Sequence, residues 1–386
     1  MMPYTNLNEL VRQALGLNHG VADAVNAVDD TLSTTGLRNI GSSGIGGRPV
    51  TVPGVLPRPV RVVPVDPDLG TLTQAIQTSQ FAHCRVYIHG IYAGAPFDDF
   101  LNGKTGEWYF ASLATDGKEV VGVGSKDMGD DNGRWVKVDS GSWLDTGDRL
   151  IWPKTEDYNE VKDLGVPNGN IVIALNVMED DDGDLAKSIL NKVGKISRAW
   201  LDQQFPGNLA AGVTHDQILS LAQDVLDIYA ADDRPLSESF GLDQNTNYGI
   251  GRFIKVVGQQ GTYAILSVQP KGTADTDLYQ IENHDVPPGV SERSISLTTG
   301  ANTPRLVAVF IRPPIYLPGF PSIRVEVLNP LHEGRSFKVT GRPGLFHTMV
   351  EGGGSDIKIR VTAPIGAVMR VMATAVGKEG AAQYSD

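Results

Sequence analysis

Alternation of apolar and polar residues with a period of two is the dominant pattern of this chain. It predicts strands that bury one face. Six or seven such segments fall between residues 81 and 178, and eight more fall between residues 252 and 380, separated by glycine and proline. The segment 170–178 differs, because it is almost continuously apolar and rich in β-branched residues. That composition predicts a strand covered on both faces.

Turn residues indicate how the predicted strands connect. Asp116-Gly117 stands between two apolar runs and predicts a hairpin. Ser140-Gly141 and Thr146-Gly147 predict turns around two further short strands. The polar segment 232–251 is predicted to be a boundary loop.

Helical spacing of apolar residues is found in three segments, 5–35, 184–200 and 214–230. The first predicts a helical arm whose apolar face packs either on its own chain or on a neighbouring subunit. Glycine and proline dominate residues 36–67, which indicates an extended linker or an edge strand.

The predicted fold class is therefore mostly β, with two antiparallel β-sandwich domains, an N-terminal helical arm and a two-helix bridge. The second sandwich is expected to be immunoglobulin-like or jelly-roll-like. The predicted boundaries are 1–67 for the arm and linker, 68–183 for the first sandwich, 184–251 for the bridge and boundary loop, 252–380 for the second sandwich, and 381–386 for the tail.

Charge and targeting signals narrow the expected partners. The chain has 33 basic and 45 acidic residues, for a net charge of −12, so we expect no binding to nucleic acid. A single cysteine, Cys84, excludes an internal disulfide. We find neither a signal peptide nor an apolar stretch of the ~18 residues that a transmembrane helix needs. A cytoplasmic protein or an assembled particle is the expectation.

An acidic cluster follows the predicted strand 170–178 and is the best candidate site for a metal ion. Calcium prefers several carboxylate and carbonyl oxygens from one loop. Acids at this place can equally cap the helix predicted from residue 184, and both interpretations remain open. The candidate ligands here are Glu179, Asp180, Asp182 and Asp184.

Residues 81–184 resemble a C2 domain. Asn159 and Glu160 match the Asn-Glu pair that precedes a strand in that family, and Asp180 and Asp182 match its later calcium-loop acids. Asp98 and Asp99 match its first calcium loop. The resemblance implies a β-sandwich that binds calcium and, through calcium, a membrane or protein partner.

Other candidate chemistry is weak. His83, Cys84 and His89 lack the spacing of a zinc site and are predicted to be strand-surface residues. The chain has no Gly-x-Ser-x-Gly motif and no phosphate-loop or dinucleotide fingerprint. No catalytic residue is predicted.

We therefore expect a non-catalytic structural or assembly protein, for instance a component of a phage particle (virion) or of a protein array. Its partners would be further copies of itself, in a homo-oligomer or a larger assembly. One alternative is a calcium-dependent module that binds a membrane or a glycan. A second alternative is a hydrolase with an unrecognised carboxylate pair.

Overall fold

Eighteen β-strands form the regular structure of the residues that a computed structural model of this protein describes. This agrees with the predicted mostly β class. The structure describes residues 61–62, 83–94, 106–116, 119–125, 133–154, 170–179, 235–242, 248–271, 279–296, 305–314, 321–328, 336–339, 342–350 and 356–375.

The predicted helices at 5–35, 184–200 and 214–230 lie outside these ranges, as does the predicted tail. In the part of the chain that is described, no helix has the length and apolar character needed to cross a membrane.

The strands follow one another along the chain with these bounds: β1 Arg61–Val62, β2 His83–Tyr92, β3 Gly106–Thr115, β4 Val120–Gly124, β5 Trp135–Val138, β6 Trp143–Trp152, β7 Ile171–Glu179, β8 Leu236–Leu242, β9 Arg252–Val257, β10 Tyr263–Lys271, β11 Tyr279–Val286, β12 Gly289–Ser296, β13 Arg305–Arg312, β14 Ile323–Leu328, β15 Ser336–Val339, β16 Gly344–Val350, β17 Asp356–Ala363 and β18 Ala367–Ala375.

The strands divide between two compact units that interleave along the sequence. The first unit holds one sheet with the order β1-β8-β7-β3-β4, and β5 also pairs with β3. Strands β3 and β7 pair antiparallel along most of their length. All nine residues of β7 are buried, which confirms the prediction of a strand covered on both faces.

The second unit contains three four-stranded sheets. We call β6-β2-β10-β9 the front sheet, β11-β18-β13-β16 the middle sheet and β12-β17-β14-β15 the back sheet. Every strand pair in them is antiparallel.

The middle sheet is apolar on both faces because its central strands pack in two directions. Val307, Val309 and Ile311 of β13 share a buried core with the back sheet. Ala308 and Phe310 of the same strand share a second core with the front sheet. Side chains of a strand point alternately to opposite faces, so one near-continuous apolar run serves two layers.

Four features differ from the sequence expectation. Residues 236–242 form β8 inside the predicted boundary loop, with Leu236, Phe240 and Leu242 buried. Strands β11 and β16 were not predicted, and both lie at edges of the middle sheet. Thr146-Gly147 lies within the single ten-residue strand β6 and does not separate two strands.

The fourth difference concerns the segment 68–183. Its strands β2 and β6 belong to the front sheet with β9 and β10, whereas β3, β4, β5 and β7 belong to the first unit. Long-range pairing therefore divides a stretch that is continuous in sequence.

Candidate functional site

A bulge in β6 places a polar side chain next to the buried His89. Ile88 pairs with Arg149 and Gly90 pairs with Asp145, so His89 alone stands opposite the three residues 146–148. Gly147 and Asp148 have φ values of 64° and 56°, in the left-handed region. Bulges of this kind redirect side chains. Here the bulge brings the carboxylate of Asp148 next to His89.

Local hydrogen bonds hold the bulge in place. The Thr146 hydroxyl donates to the carbonyl oxygen of Ile88 at 2.6 Å. The amide of Gly147 donates to Oδ1 of Asp145 at 2.9 Å. In the sequence Asp-Thr-Gly-Asp at 145–148, the Asp145 side chain accepts a backbone hydrogen bond and Gly147 adopts a positive φ without strain, as is typical of turn sequences.

His89 joins two other polar side chains of the front sheet. Its Nδ1 lies 2.8 Å from Oδ1 of Asp148, and its Nε2 lies 2.7 Å from Oγ of Ser267. A carboxylate oxygen can only accept, so the Nδ1 proton is donated to Asp148 and Nε2 accepts from the Ser267 hydroxyl. Gln269 donates its Nε2 proton to the Ser267 oxygen at 3.1 Å.

Arg370 of β18 brings the middle sheet into the same network. Its guanidinium binds Asp148 through two nitrogens, with Nη2 donating to Oδ2 at 2.7 Å, and it also contacts Nδ1 of His89. Its Nε donates to Oδ1 of Asn283 on β11. Bidentate pairing of arginine with carboxylate is strong and directional. We call His89, Asp148, Ser267 and Arg370 the His89 network.

Burial and charge set the protonation states of the network. Burial lowers the pKa of His89, and this outweighs the hydrogen bond to Asp148, which raises it. Burial would raise the pKa of Asp148, but the hydrogen bonds from His89 and Arg370 lower it to about 2. At neutral pH the network therefore contains a neutral imidazole and an Arg370–Asp148 ion pair.

The order of atoms from Ser267 through His89 to Asp148 is that of a serine nucleophile with its base and orienting acid. The burial of Ser267 and His89 distinguishes this site from a solvent-accessible active site. Ser267 is 0% exposed and His89 is 3% exposed, so the hydroxyl is enclosed where the front and middle sheets meet. In this arrangement the network links β2, β6 and β10 of one sheet to β18 of another.

A second histidine makes a similar link. Nε2 of His347 on β16 accepts the amide proton of Phe253 on β9 at 3.0 Å. Burial and, to a smaller extent, the charge of Arg252 together lower the pKa of His347 to about 3. The neutral imidazole thus satisfies a backbone donor at the edge of the front sheet.

Most of the metal ligands proposed from sequence lie outside the described residues. This holds for Asp98, Asp99, Asp180, Asp182 and Asp184. Glu179 is the last residue of β7 and is buried, with its carboxylate beside Gly106, where a Cβ would fall 2.8 Å from Oε1. No three His, Cys, Asp or Glu side chains of the described ranges come together as a metal site.

The surface position predicted for Cys84 and His89 is wrong. Cys84 is 0% exposed and His89 is 3% exposed. The alternation that puts Arg85, Tyr87 and His89 on one face is present, but the middle sheet covers that face: Arg85 contacts Tyr279 of β11 and His89 contacts Arg370 of β18. The side chain of His83 lies outside the described residues.

The sequence analysis did not identify Asp148, Ser267 or Arg370. One local signal pointed to Asp148, since Asp-Thr-Gly-Asp interrupts an otherwise strand-like segment. Ser267 and Arg370 lie 178 and 281 residues from His89, and no local pattern marks them.

Comparisons with known proteins give no family. No family model matches the chain, and no curated protein matches it. Among solved structures it is similar to human GIVD cytosolic phospholipase A2 in complex with methyl gamma-linolenyl fluorophosphonate inhibitor and terbium chloride, with a TM-score of 0.24 and 8% identity over 77% of this chain and 33% of that one. Two further structures of that enzyme, one with methyl gamma-linolenyl fluorophosphonate and one of the enzyme alone, each give a TM-score of 0.24 and 6% identity over 76% of this chain and 32% of that one. The chain thus spans about a third of the length of these proteins, and at this TM-score the similarity assigns neither fold family nor function.

Proposed function

We propose that this protein is a non-catalytic structural or assembly subunit that contacts further copies of itself through the edges of its β-sheets. In this proposal the predicted sandwich domains form the body, and the N-terminal arm adds a second contact. A phage particle or a protein array is a setting that such a subunit fits.

The edge strand β12 carries the proposal. All eight of its residues pair with β17, and on its other side no described strand pairs with it. Val290 on this strand is 68% exposed. An edge strand with unpaired backbone groups and an exposed apolar side chain is a template for pairing with another chain. We infer that β12 of one copy pairs with a strand of the next.

The His89 network supports the same proposal. It is the most reaction-like constellation among the described residues, and its polar groups are engaged with one another between two sheets, with His89 and Ser267 buried and Asp148 at the surface. Polar side chains that bind one another between two sheets make the packing of those sheets specific, which a building block requires. Size-exclusion chromatography with light scattering tests the proposal, and we expect a molar mass that rises with concentration above that of one chain.

A calcium-dependent module that binds a membrane or a glycan is the second candidate. The observation that favours it is the position of Glu179, which ends the buried strand β7 directly before Asp180 and Asp182. Together with the C2 resemblance, this position suits a calcium loop at the end of a strand. Calorimetric titration with calcium distinguishes this candidate from the assembly subunit.

A further inference from the structure

A row of aromatic side chains crosses the front sheet. Trp143 of β6 pairs with Tyr92 of β2, and Tyr92 pairs with Tyr263 of β10. The rings of Tyr92 and Tyr263 are stacked, with centroids 4.9 Å apart. Phe310 of the middle sheet packs against Trp143 at 5.3 Å. Trp143, Tyr92 and Tyr263 therefore occupy paired positions on three adjacent strands, and we call them the aromatic row.

A cation lies over each ring of this row. Nζ of Lys255 is 3.9 Å from the centre of the Tyr263 ring. The guanidinium carbons of Arg342 and Arg312 lie 5.9 Å and 5.8 Å from the centres of Tyr92 and Trp143, respectively. Cation–π attraction holds such groups in place while leaving their N–H donors available. We call Lys255, Arg312 and Arg342 the cation rim.

None of the three members of the cation rim forms an ion pair with a described residue. Lys255 and Arg342 are exposed, and Arg312 is half-buried. Partial desolvation of the Lys255 ammonium group lowers its pKa, and the positive charge of Arg342 lowers it as well. A chain of net charge −12 thus places three cations without an ion-pair partner among the described residues along the aromatic row.

We propose that the cation rim is a binding site for an oxyanion, namely a phosphate or sulfate group. Two guanidinium groups offer paired N–H donors that match the oxygens of such a group, and the ammonium group adds a point charge. The oxygens of a tetrahedral oxyanion can accept from more than one such donor, and Lys255 and Arg342 are near enough for their charges to interact. The aromatic row fixes the three cations before the ligand arrives, which reduces the entropy lost on binding. This site is independent of the proposed assembly through β12.

Calorimetry with inorganic phosphate on the full chain, at low ionic strength, tests the site. The wild type is expected to bind, and added salt should weaken that binding. The double variant Lys255→Gln/Arg342→Gln should bind at least about tenfold more weakly, because it loses two of three charge-assisted contacts. Lys338→Gln/Lys358→Gln on the back sheet removes the same charge elsewhere and should bind like the wild type.

Two further variants separate loss of the site from loss of the fold. Lys255→Arg/Arg342→Lys keeps both charges and should retain binding, whereas Arg312→Gln removes the third cation and should weaken it. Sedimentation with vesicles of phosphatidylcholine, with and without phosphatidic acid, identifies the source of the phosphate. Variant-sensitive sedimentation only with phosphatidic acid assigns a lipid headgroup, and phosphate binding without sedimentation assigns a soluble phosphate compound.

Either of these results supports the oxyanion site. The proposal is overturned if the wild type binds neither probe. It is also overturned if Lys255→Gln/Arg342→Gln and Lys338→Gln/Lys358→Gln weaken binding equally, since the change in net charge alone would then explain the effect.

Discussion

Nδ1 of His89 lies 2.8 Å from Oδ1 of Asp148, and Asp148 in turn holds the guanidinium of Arg370 from a different sheet. The bulge of β6 makes the first contact possible, and the second joins the front sheet to the middle sheet. Through Asp148, the bulge of β6 therefore connects the front sheet to the middle sheet. Stability and pH behaviour should both depend on it.

Removing the cation from this link should destabilise the second unit. Arg370→Met leaves Asp148 without its bidentate partner, and because Asp148 is 44% exposed and partly screened by water, we expect a loss of about 1 kcal/mol in the free energy of unfolding. Urea unfolding followed by fluorescence measures this loss.

Arg360→Met is the matched control for that experiment. Arg360 pairs with Glu292 on the exposed face of the back sheet, so its replacement should change stability little. Equal losses in the two variants would show that the His89 network does not contribute specifically.

His347 should make stability depend on pH in the acidic range. Its pKa is about 3 in the folded chain and 6.5 in the unfolded chain, so the unfolded chain binds the proton first as pH falls. Its contribution is therefore complete above pH 6.5 and is lost as pH falls toward 3. The expected slope is about 1.4 kcal/mol per pH unit.

His347→Gln isolates this contribution, because glutamine offers an uncharged acceptor for the Phe253 amide. Urea unfolding of both proteins across this pH range should give curves that converge as the solution becomes more acidic. Parallel curves would mean that His347 does not titrate in a buried environment.

Ser267 should be inert despite its contact with His89. A fluorophosphonate probe reacts with activated serines, and the enclosed hydroxyl should form no adduct when the intact protein is analysed by mass spectrometry. Ser267→Ala provides the reference. An adduct that is present in the wild type and missing in Ser267→Ala would establish a nucleophile and favour the hydrolase interpretation.

Calcium titration separates the two candidate functions. An assembly subunit whose acids at 179–184 only cap a helix should give little site-specific heat. A calcium module should bind in the wild type and lose binding in Asp180→Asn/Asp182→Asn, which removes two carboxylates with little change in size. Site-specific heat that the double variant removes would favour the second candidate.

Local sequence patterns predicted the strands that are buried, and they failed where pairing is long-range. The apolar runs of β7 and β13 were identified because burial selects their composition directly. Strand β11, with the sequence YQIENHDV, is mostly polar and forms through its backbone pairing with β18. Nothing local marks it as a strand.

The His89 network shows the same limit at the level of a site. Alternation placed His89 on one face with Arg85 and Tyr87, but the existence of a covering sheet cannot be read from that strand alone. Asp148, Ser267 and Arg370 reach His89 only after three other strands pair or pack. Sequence distance, rather than weak chemistry, concealed the site.

The central claim is that β12 mediates contact between copies of this protein. The most direct test is light scattering of the wild type, Val290→Lys and Val136→Lys over a range of protein concentrations. Both valines are exposed, at 68% and 42%, but Val136 lies on β5 of the first unit. A lysine on an exposed edge opposes strand pairing. We predict that the wild type and Val136→Lys assemble and that Val290→Lys stays at the mass of one chain. A wild type that remains a monomer at high concentration, or a Val290→Lys variant that assembles like the wild type, would contradict the account.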